Sequence, residues 1–182
     1  MADGTLKVGQ ITTSSGSGTI TVGASGETVD FSNGTVTLNS SMKNTPNFFV
    51  QSNGSAQTLN HATHTKVTVW ATPAIDTASN WDSTNSRYVF DTAGKYLVQA
   101  SLYFVIDAFN KRLQMSVRKN GSAHILSTVS SGKNNSANVA YMNEYAVSDY
   151  LEIFGYQDQS SGNISMATEA VMTFLNITKI IE

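Results

Sequence analysis

The chain has 182 residues, enough for one domain with a hydrophobic core and one further segment. Charged residues make up only 13% of it, the formal net charge is −2 and no dense run of lysine and arginine occurs, so nucleic-acid binding through phosphates is not expected. Cysteine is absent, which excludes disulfides and thiolate chemistry, and no apolar run is long enough to span a membrane, so membrane insertion is not expected.

Residues 1–45 form a separate segment with too few large side chains for a core of its own. They contain neither tryptophan nor tyrosine, and Phe31 is their only phenylalanine. The pattern Gly-Thr-apolar-polar-apolar occurs as GTLKV from residue 4, GTITV from residue 18 and GTVTL from residue 34, with glycine- and serine-rich turns between the copies. Short alternating strands need a partner surface, which predicts a β-type anchoring arm; a flexible glycine/serine linker is the alternative. The apolar positions that would contact the partner are Leu6, Val8, Ile20, Val22, Val36 and Leu38.

Residues 46–182 carry nearly all the aromatic side chains and predict a series of strands separated by turns. The runs that predict strands are, in chain order, NFFVQ, THTKVTVW, RYVF, KYLVQASLYFVI, RLQMSVRK, AHILSTVS, NVAYMNEYAV, YLEIFGYQ and VMTFLNITKII. Asn-Gly at 53–54 and 120–121, and Ser-Gly at 131–132 and 161–162, predict turns between several of them. Because no segment has helical periodicity over a dozen residues, this region is predicted to form an all-β sandwich or barrel.

The most regular stretch is FDTAGKYLVQASLYF, residues 90–104. Glycine followed by lysine also occurs in phosphate-binding loops, but here Tyr96 stands in place of serine or threonine and a strand follows in place of a helix. From Lys95 to Ile106 every second residue is apolar, which places one wholly apolar face on a strand. The opposite face carries apolar residues as well as polar ones, so a long strand with both faces partly covered is predicted. The stretch is therefore predicted to be structural.

Catalytic and metal-binding patterns are weak. His61 and His64 lie three residues apart, which in a strand would point their side chains to opposite faces, so exposed loop histidines are favoured over metal ligands. DSTNS, residues 82–86, lacks the second carboxylate and the glycine of a calcium loop and is predicted to be a turn. No Gly-x-Ser-x-Gly motif occurs, and the carboxylates are scattered singly. We therefore expect no enzymatic activity, no cofactor and no metal site.

Exposed aromatic side chains are the remaining candidates for a binding surface. In a β-sandwich most aromatic residues belong to the core or to a subunit interface, and the alternative is that exposed rings stack on sugars. The six candidates are Trp70, Trp81, Tyr141, Tyr145, Tyr150 and Tyr156.

The segment WDSTNSRYVFDTAGKYLVQASLYF, residues 81–104, resembles the globular head of the complement one-q family, a tumour necrosis factor-like jelly roll. SVRKNGS (116–122), VSDYLEIFGYQ (147–157) and TFLNITKI (173–180) are similar to later strands of that family, in the same order. This chain departs from the family pattern where Asn85 and Asn176 replace glycines, and no calcium ligands are carried over.

This resemblance implies a jelly roll of about ten strands over residues 46–182, assembled as a tight homotrimer with a binding or structural role. The residues expected to supply core and trimer-interface area are Tyr103, Phe104, Phe154 and Tyr156.

The anchoring arm has a resemblance of its own. The run QITTSSGSGTITVGASGETVDF, residues 10–31, resembles runs in virion proteins of marine bacteriophages, where such runs precede a head domain of this kind. The absence of a collagen-type stem, a secretory signal and cysteine favours a phage protein made in the bacterial cytoplasm.

Together the two resemblances imply a homotrimeric protein of the virion surface. It would be a capsid decoration or cement protein whose arm binds other virion proteins, such as the major capsid protein, with the jelly-roll head displayed outward. The alternative is a tail or head fibre tip, a receptor-binding protein that recognises a glycan or protein of the host surface.

Overall fold

The computed structural model describes residues 46–106, 111–129, 135–159, 162–167 and 169–180. These residues form strands and turns, and one 3-10 helix is the only helical element among them. The predicted anchoring arm, residues 1–45, lies outside the described residues together with its contact positions Leu6, Val8, Ile20, Val22, Val36 and Leu38.

Thirteen strands lie in the described part of the chain. In chain order they are β1 (Asn47–Gln51), β2 (Gln57–Leu59), β3 (Thr65–Lys66), β4 (Ile75–Asp76), β5 (Trp81–Asp82), β6 (Arg87–Val89), β7 (Gly94–Val105), β8 (Leu113–Lys119), β9 (Ser122–Val129), β10 (Asn135–Tyr145), β11 (Tyr150–Gln157), β12 (Ile164–Met166) and β13 (Phe174–Lys179). The 3-10 helix, Ala170–Met172, precedes β13.

Sheet 1 contains seven strands, with β7 at its centre. Along nearly its whole length β7 pairs with β10, from Gly94 opposite Tyr145 to Phe104 opposite Asn135. On its other side β7 pairs first with β13 and then, towards its C-terminal end, with β12. β13 continues the sheet to β1 and β4, β12 continues it to β2, and every pairing is antiparallel.

Sheet 2 contains six strands in the order β5-β6-β11-β8-β9, with β3 beside β11 beyond the end of β6. The turn from β8 to β9 is Asn120-Gly121, as predicted, and both residues have positive φ, 52° and 79°. Asparagine and glycine adopt this left-handed conformation at low cost, which explains why an Asn-Gly pair makes the turn.

The core lies between the two sheets and follows the period-two alternation of the sequence. In β7 the buried side chains of one face are Tyr96, Val98, Ala100, Leu102 and Phe104. Sheet 2 contributes Met115, Val117, Leu151 and Ile153 from β8 and β11. Each large apolar side chain that is removed from water in this way contributes about 1.5–3 kcal/mol.

The edge strands β9 and β10 adjoin, and side chains connect them. The backbone N–H of Asn138 in β10 donates to Ser127 Oγ in β9 at 3.2 Å, and Asn143 Nδ2 lies 3.1 Å from His124 Nε2. A register shift opposite Val117 places His124 at a β-bulge of β9, which re-aims its side chain. We call this contact the β9–β10 seam.

The all-β prediction is confirmed, but one predicted strand is mostly wrong. Of THTKVTVW, only Thr65–Lys66 is a strand. The run changes partners along its length: Thr65–Lys66 pairs with β11 in sheet 2, whereas Trp70 bridges to Ser52 at the end of β1 in sheet 1. Because the chain crosses from one sheet to the other here, its alternation does not produce one continuous strand.

Candidate functional site

The side chains of sheet 1 that point away from the core form a surface, the sheet 1 face, on which apolar side chains are interspersed with uncharged polar ones. The rings of Phe49 in β1 and Phe174 in β13 lie 6.1 Å apart between centroids. Leu97 of β7 lies opposite Met142 of β10, which is 70% exposed. Ile75 of β4, 47% exposed, lies opposite Phe49 and extends the surface. Apolar side chains that remain exposed on a sheet face are candidates for a protein–protein interaction surface.

The sheet 1 face also carries little charge. Among the described residues of β1, β7, β10 and β13, its charged side chains are Lys95 and Glu144, which lie opposite each other at one end. Near the middle, Asn176 Nδ2 donates to Gln99 Oε1 at 2.9 Å. A second protein surface could therefore cover most of this face without burying an unpaired charge, which would be costly.

The outward surface of sheet 2, the sheet 2 face, carries cations held over aromatic rings. The pairs are Arg87 with Tyr150 (4.6 Å from guanidinium carbon to ring centroid), Arg112 with Tyr156 (4.7 Å) and Arg118 with Phe154 (4.0 Å). Such contacts contribute about 0.5–1 kcal/mol each at exposed sites. Ion pairs join cations to carboxylates, namely Lys66 with Glu152 (2.6 Å), Arg87 with Asp82 (3.0 Å) and Arg112 with Asp158 (3.4 Å). The two faces of the sandwich thus differ sharply in charge.

The two histidines singled out in the sequence both lie exposed between β2 and β3, as predicted. The ring of His64 lies 4.7 Å from that of Tyr156 at the margin of the sheet 2 face. Desolvation lowers the pKa of His64, and the positive charges of Arg118 and Arg112 lower it further. His64 is therefore neutral at neutral pH.

Of the segment predicted to be a turn, residues 82–86, residues 83–86 form the turn and Asp82 is the last residue of β5. Both oxygens of the Asp82 carboxylate accept hydrogen bonds from Asn85, from its backbone N–H at 3.0 Å and its side-chain amide at 2.8 Å. The hydrogen bonds from Asn85 lower the pKa of Asp82, and the hydrogen bond and positive charge of the Arg87 guanidinium lower it further. The hydrogen bonds of the Asp82 carboxylate thus stabilise the turn between β5 and β6.

A cavity of about 470 Å³ adjoins this turn, between the chain that leads into β4 and the β5–β6 hairpin. Both tryptophans of the chain line it, and we call it the tryptophan cavity. The rings of Trp70 and Trp81 are 6.0 Å apart between centroids and nearly perpendicular, at 83°. Trp81 stacks on Phe48 of the core at 5.3 Å, and Trp70 Nε1 donates to the carbonyl oxygen of Val67 at 3.0 Å. Both rings are therefore held in place.

Asp76 supplies a carboxylate to the wall of the tryptophan cavity. Its Oδ1 accepts the backbone N–H of Asn80 at 2.9 Å, and its Oδ2 accepts that of Trp81 at 3.0 Å. The carboxylate is therefore fixed in orientation, while each oxygen retains a lone pair for a further donor. Hydroxyl groups of Thr68, Thr72 and others complete the lining.

The four residues predicted to supply core and trimer-interface area lie on different surfaces. Phe104 is completely buried between the sheets, whereas Tyr103 points to the sheet 1 face and is 9% exposed. Phe154 and Tyr156 lie on the sheet 2 face beneath arginines. A role of these residues in a trimer interface stays a prediction.

Two of the six aromatic side chains considered for an exposed binding surface, Tyr141 and Tyr145, lie on the core side of β10. For Tyr145 the prediction of an exposed ring is wrong. Tyr145 is 1% exposed, because β10 points it into the core, where its ring stacks on Phe90 at 4.0 Å. Its hydroxyl lies 3.0 Å from that of Tyr141, and burial raises the pKa of both phenols. Trp70 and Trp81 meet in the cavity, although nothing in the sequence pattern indicated that they would.

Among the described residues, no three histidine, aspartate or glutamate side chains are grouped so that they could hold a metal ion. None of the described helical segments has the length and apolarity that a membrane span requires.

The two antiparallel sheets, with the strand orders given above, form the jelly roll of tumour necrosis factor-like and complement one-q proteins, which confirms the predicted fold. Eiger TNF from S. frugiperda matches with a TM-score of 0.60 at 17% identity, over 76% of this chain and 94% of that chain. Murine APRIL matches with a TM-score of 0.58 at 14% identity, over 74% and 98%. The globular domain of zebrafish complement 1qA matches with a TM-score of 0.51 at 10% identity, over 72% and 95%. No family model and no curated protein sequence matches the chain.

Proposed function

We propose that the chain is a homotrimeric, non-enzymatic structural protein of a virion surface, acting as capsid decoration. The observation that supports self-association is the contrast between the two outward surfaces of the sandwich. The sheet 1 face is nearly uncharged and exposes apolar side chains, with Met142 70% exposed, whereas the sheet 2 face carries paired charges over aromatic rings.

In the proposed trimer the sheet 1 faces of three copies meet around a threefold axis. Each copy then removes Phe49, Phe174 and Met142 from water, and the hydrophobic effect favours this by about 25 cal/mol per Å² of apolar surface. The sheet 2 face remains outside this contact. The resemblance of residues 81–104 to complement one-q heads, which implied a trimer, supports the same arrangement.

A matched pair of substitutions tests the trimer. Met142→Glu places a charge on the sheet 1 face, and Leu126→Glu places one at a 52% exposed position of the sheet 2 face. Since both side chains are largely exposed in one protomer, both variants are expected to fold. We expect sedimentation to show a trimer for the wild type and for Leu126→Glu, and smaller species for Met142→Glu. A monomeric wild type, or a trimeric Met142→Glu variant, contradicts the proposal.

The virion role is supported by the resemblance of residues 10–31 to phage virion proteins. The arm would bind the major capsid protein through β-pairing and through its apolar positions, from Leu6 to Leu38, while the head is displayed outward. Imaging of particles tests this role: copies on every capsomer are expected, and confinement of the protein to the tail contradicts decoration.

The second candidate function is a fibre tip that recognises a glycan or protein of the host surface. The observation that favours it is the tryptophan cavity, because concave sites with fixed aromatic rings and a few polar groups are typical of ligand binding. A few copies at the end of a tail or fibre would support this alternative over decoration.

A further inference from the structure

We propose that the tryptophan cavity binds one neutral hexopyranose residue of a glycan. The inference goes beyond capsid decoration, since the cavity lies within one protomer and needs neither a trimer nor a particle. It names a ligand class for the fibre-tip alternative and rests on that alternative only for its biological role.

Size and rigidity are the first argument. A volume of about 470 Å³ lies within the range of about 300–1,000 Å³ typical of small-ligand sites. Phe48 holds Trp81 from the core side and the Val67 carbonyl holds Trp70, so little side-chain freedom remains to be lost on binding.

The ring arrangement is the second argument. A pyranose has an apolar face of C–H groups and a rim of hydroxyls. Two indoles at 83° to each other can pack against the face with one ring and against the edge with the other. A single indole ring would bind any planar apolar group. Two nearly perpendicular indole rings favour a non-planar ring with an apolar face, such as a pyranose.

The polar lining is the third argument. The Asp76 carboxylate is fixed by the N–H groups of Asn80 and Trp81, and its remaining lone pairs can accept two adjacent sugar hydroxyls. Thr68, Thr72 and Ser83 offer hydroxyls that can donate or accept. Groups of this kind discriminate a hydroxylated ligand from an apolar one of equal size.

The charge of the site selects a neutral sugar. Asp76 is the charged side chain of the lining, and no lysine or arginine occurs among the described residues that line it. Acidic sugars would meet electrostatic repulsion without a compensating cation. A quaternary ammonium ion would suit two indoles and a carboxylate, but it could not use the hydroxyls of the lining, so it serves as the competing probe.

Tryptophan fluorescence provides a direct measurement, because Trp70 and Trp81 are the chain's two tryptophans and both line the cavity. The full chain is titrated with the methyl glycosides of glucose, galactose and mannose, with galacturonic acid, and with tetramethylammonium. We expect a saturable change with at least one neutral glycoside, with Kd of about 1–10 mM, as for a small ligand that makes few contacts. Galacturonic acid is expected to bind at least about tenfold more weakly, because its carboxylate would meet that of Asp76 without a compensating cation in the lining.

Two variants locate the binding. Thr72→Val removes one exposed hydroxyl of the lining, and Trp70→Phe leaves Trp81 as the reporter; each is expected to raise Kd at least about fivefold. Thr58→Val, at an exposed position of β2 that does not line the cavity, is the control and should bind as the wild type does.

Three outcomes overturn the inference: no saturable response to any neutral glycoside, an unchanged Kd in both cavity variants, or saturation by tetramethylammonium in place of sugars. Sedimentation of the same samples separates this result from the trimer. A trimer that binds no sugar overturns the ligand and leaves the proposed assembly standing.

Discussion

Asp149 joins two turns that lie far apart in the chain. Its carboxylate accepts from Asn120 Nδ2 at 2.7 Å, 29 residues away, and from the backbone N–H of Ala146 at 2.8 Å. Lys119 Nζ lies 2.8 Å from the same carboxylate. Desolvation alone would raise the pKa of Asp149, but these hydrogen bonds and the charge of Lys119 outweigh it and lower the pKa to about 2.

The depressed pKa predicts a pH dependence of stability. Because the folded-state pKa of about 2 lies below the ordinary value of 3.8, the contribution of Asp149 is complete above about pH 4 and is lost as the pH falls towards 2. We expect this loss to amount to about 1–2 kcal/mol in the wild type and to be missing from the pH profile of Asp149→Asn. Urea unfolding at pH 7, 4, 3 and 2 measures it.

Glu169→Gln, at an exposed position, is the matched control and should keep the wild-type profile. If Asp149→Asn loses as much stability between pH 4 and pH 2 as the wild type, the carboxylate does not join the turns as described. The sequence marked Asn120-Gly121 as a turn, but it showed Asp149 only as a scattered carboxylate, because its partners come from another hairpin.

At the scale of the elements, β7 changes its neighbour from β13 to β12 between Ser101 and Phe104. Tyr103 lies at this change, where neither ladder takes its backbone groups. The buried hydroxyl of Thr173 accepts the Tyr103 N–H at 3.1 Å, and the Ala167 N–H donates to the Tyr103 carbonyl oxygen at 2.9 Å. One threonine side chain thus completes the hydrogen bonding of the central strand.

Thr173→Val keeps the shape of this side chain and removes the acceptor. We expect it to lower the free energy of unfolding by about 1–3 kcal/mol, because a buried N–H is left without a partner. Urea unfolding at a fixed protein concentration measures the change. Thr58→Val, at an exposed strand position, should stay within about 0.5 kcal/mol of the wild type. Equal stability of Thr173→Val and the wild type would show that the Tyr103 N–H finds another acceptor.

Sequence alternation predicted long strands well because their two faces differ in environment. NFFVQ and YLEIFGYQ coincide with β1 and β11, and KYLVQASLYFVI differs from β7 by one residue at each end. The strands β2, β4, β5 and β12 were not predicted, since two or three residues show no periodicity. The crossing of THTKVTVW between the sheets and the meeting of Trp70 with Trp81 depend on contacts that are not local in sequence.

At the scale of the whole molecule, the proposed arm and head have separable roles. Deletion of residues 2–40 is expected to abolish incorporation into particles, because the arm provides the anchor, while the head still forms a trimer in sedimentation. Protein analysis and imaging of purified particles measure incorporation. Normal incorporation of the deletion variant contradicts the anchoring role, and loss of the trimer would show that the arm also assembles the head.

The edges of the two sheets limit how copies of this chain can associate. The outer strands β2, β3, β4 and β5 have only two or three residues each, whereas the longer edge strands β9 and β10 contact each other through side chains along the β9–β10 seam. Among the described residues, an incoming strand from another copy finds only short rows of N–H and carbonyl groups at β2, β3, β4 and β5, and it would have to displace the β9–β10 seam to pair with a longer one. Growth into open-ended fibrils by strand addition is therefore disfavoured at the short edges, which leaves the outward surfaces of the sheets for a closed assembly such as the proposed trimer.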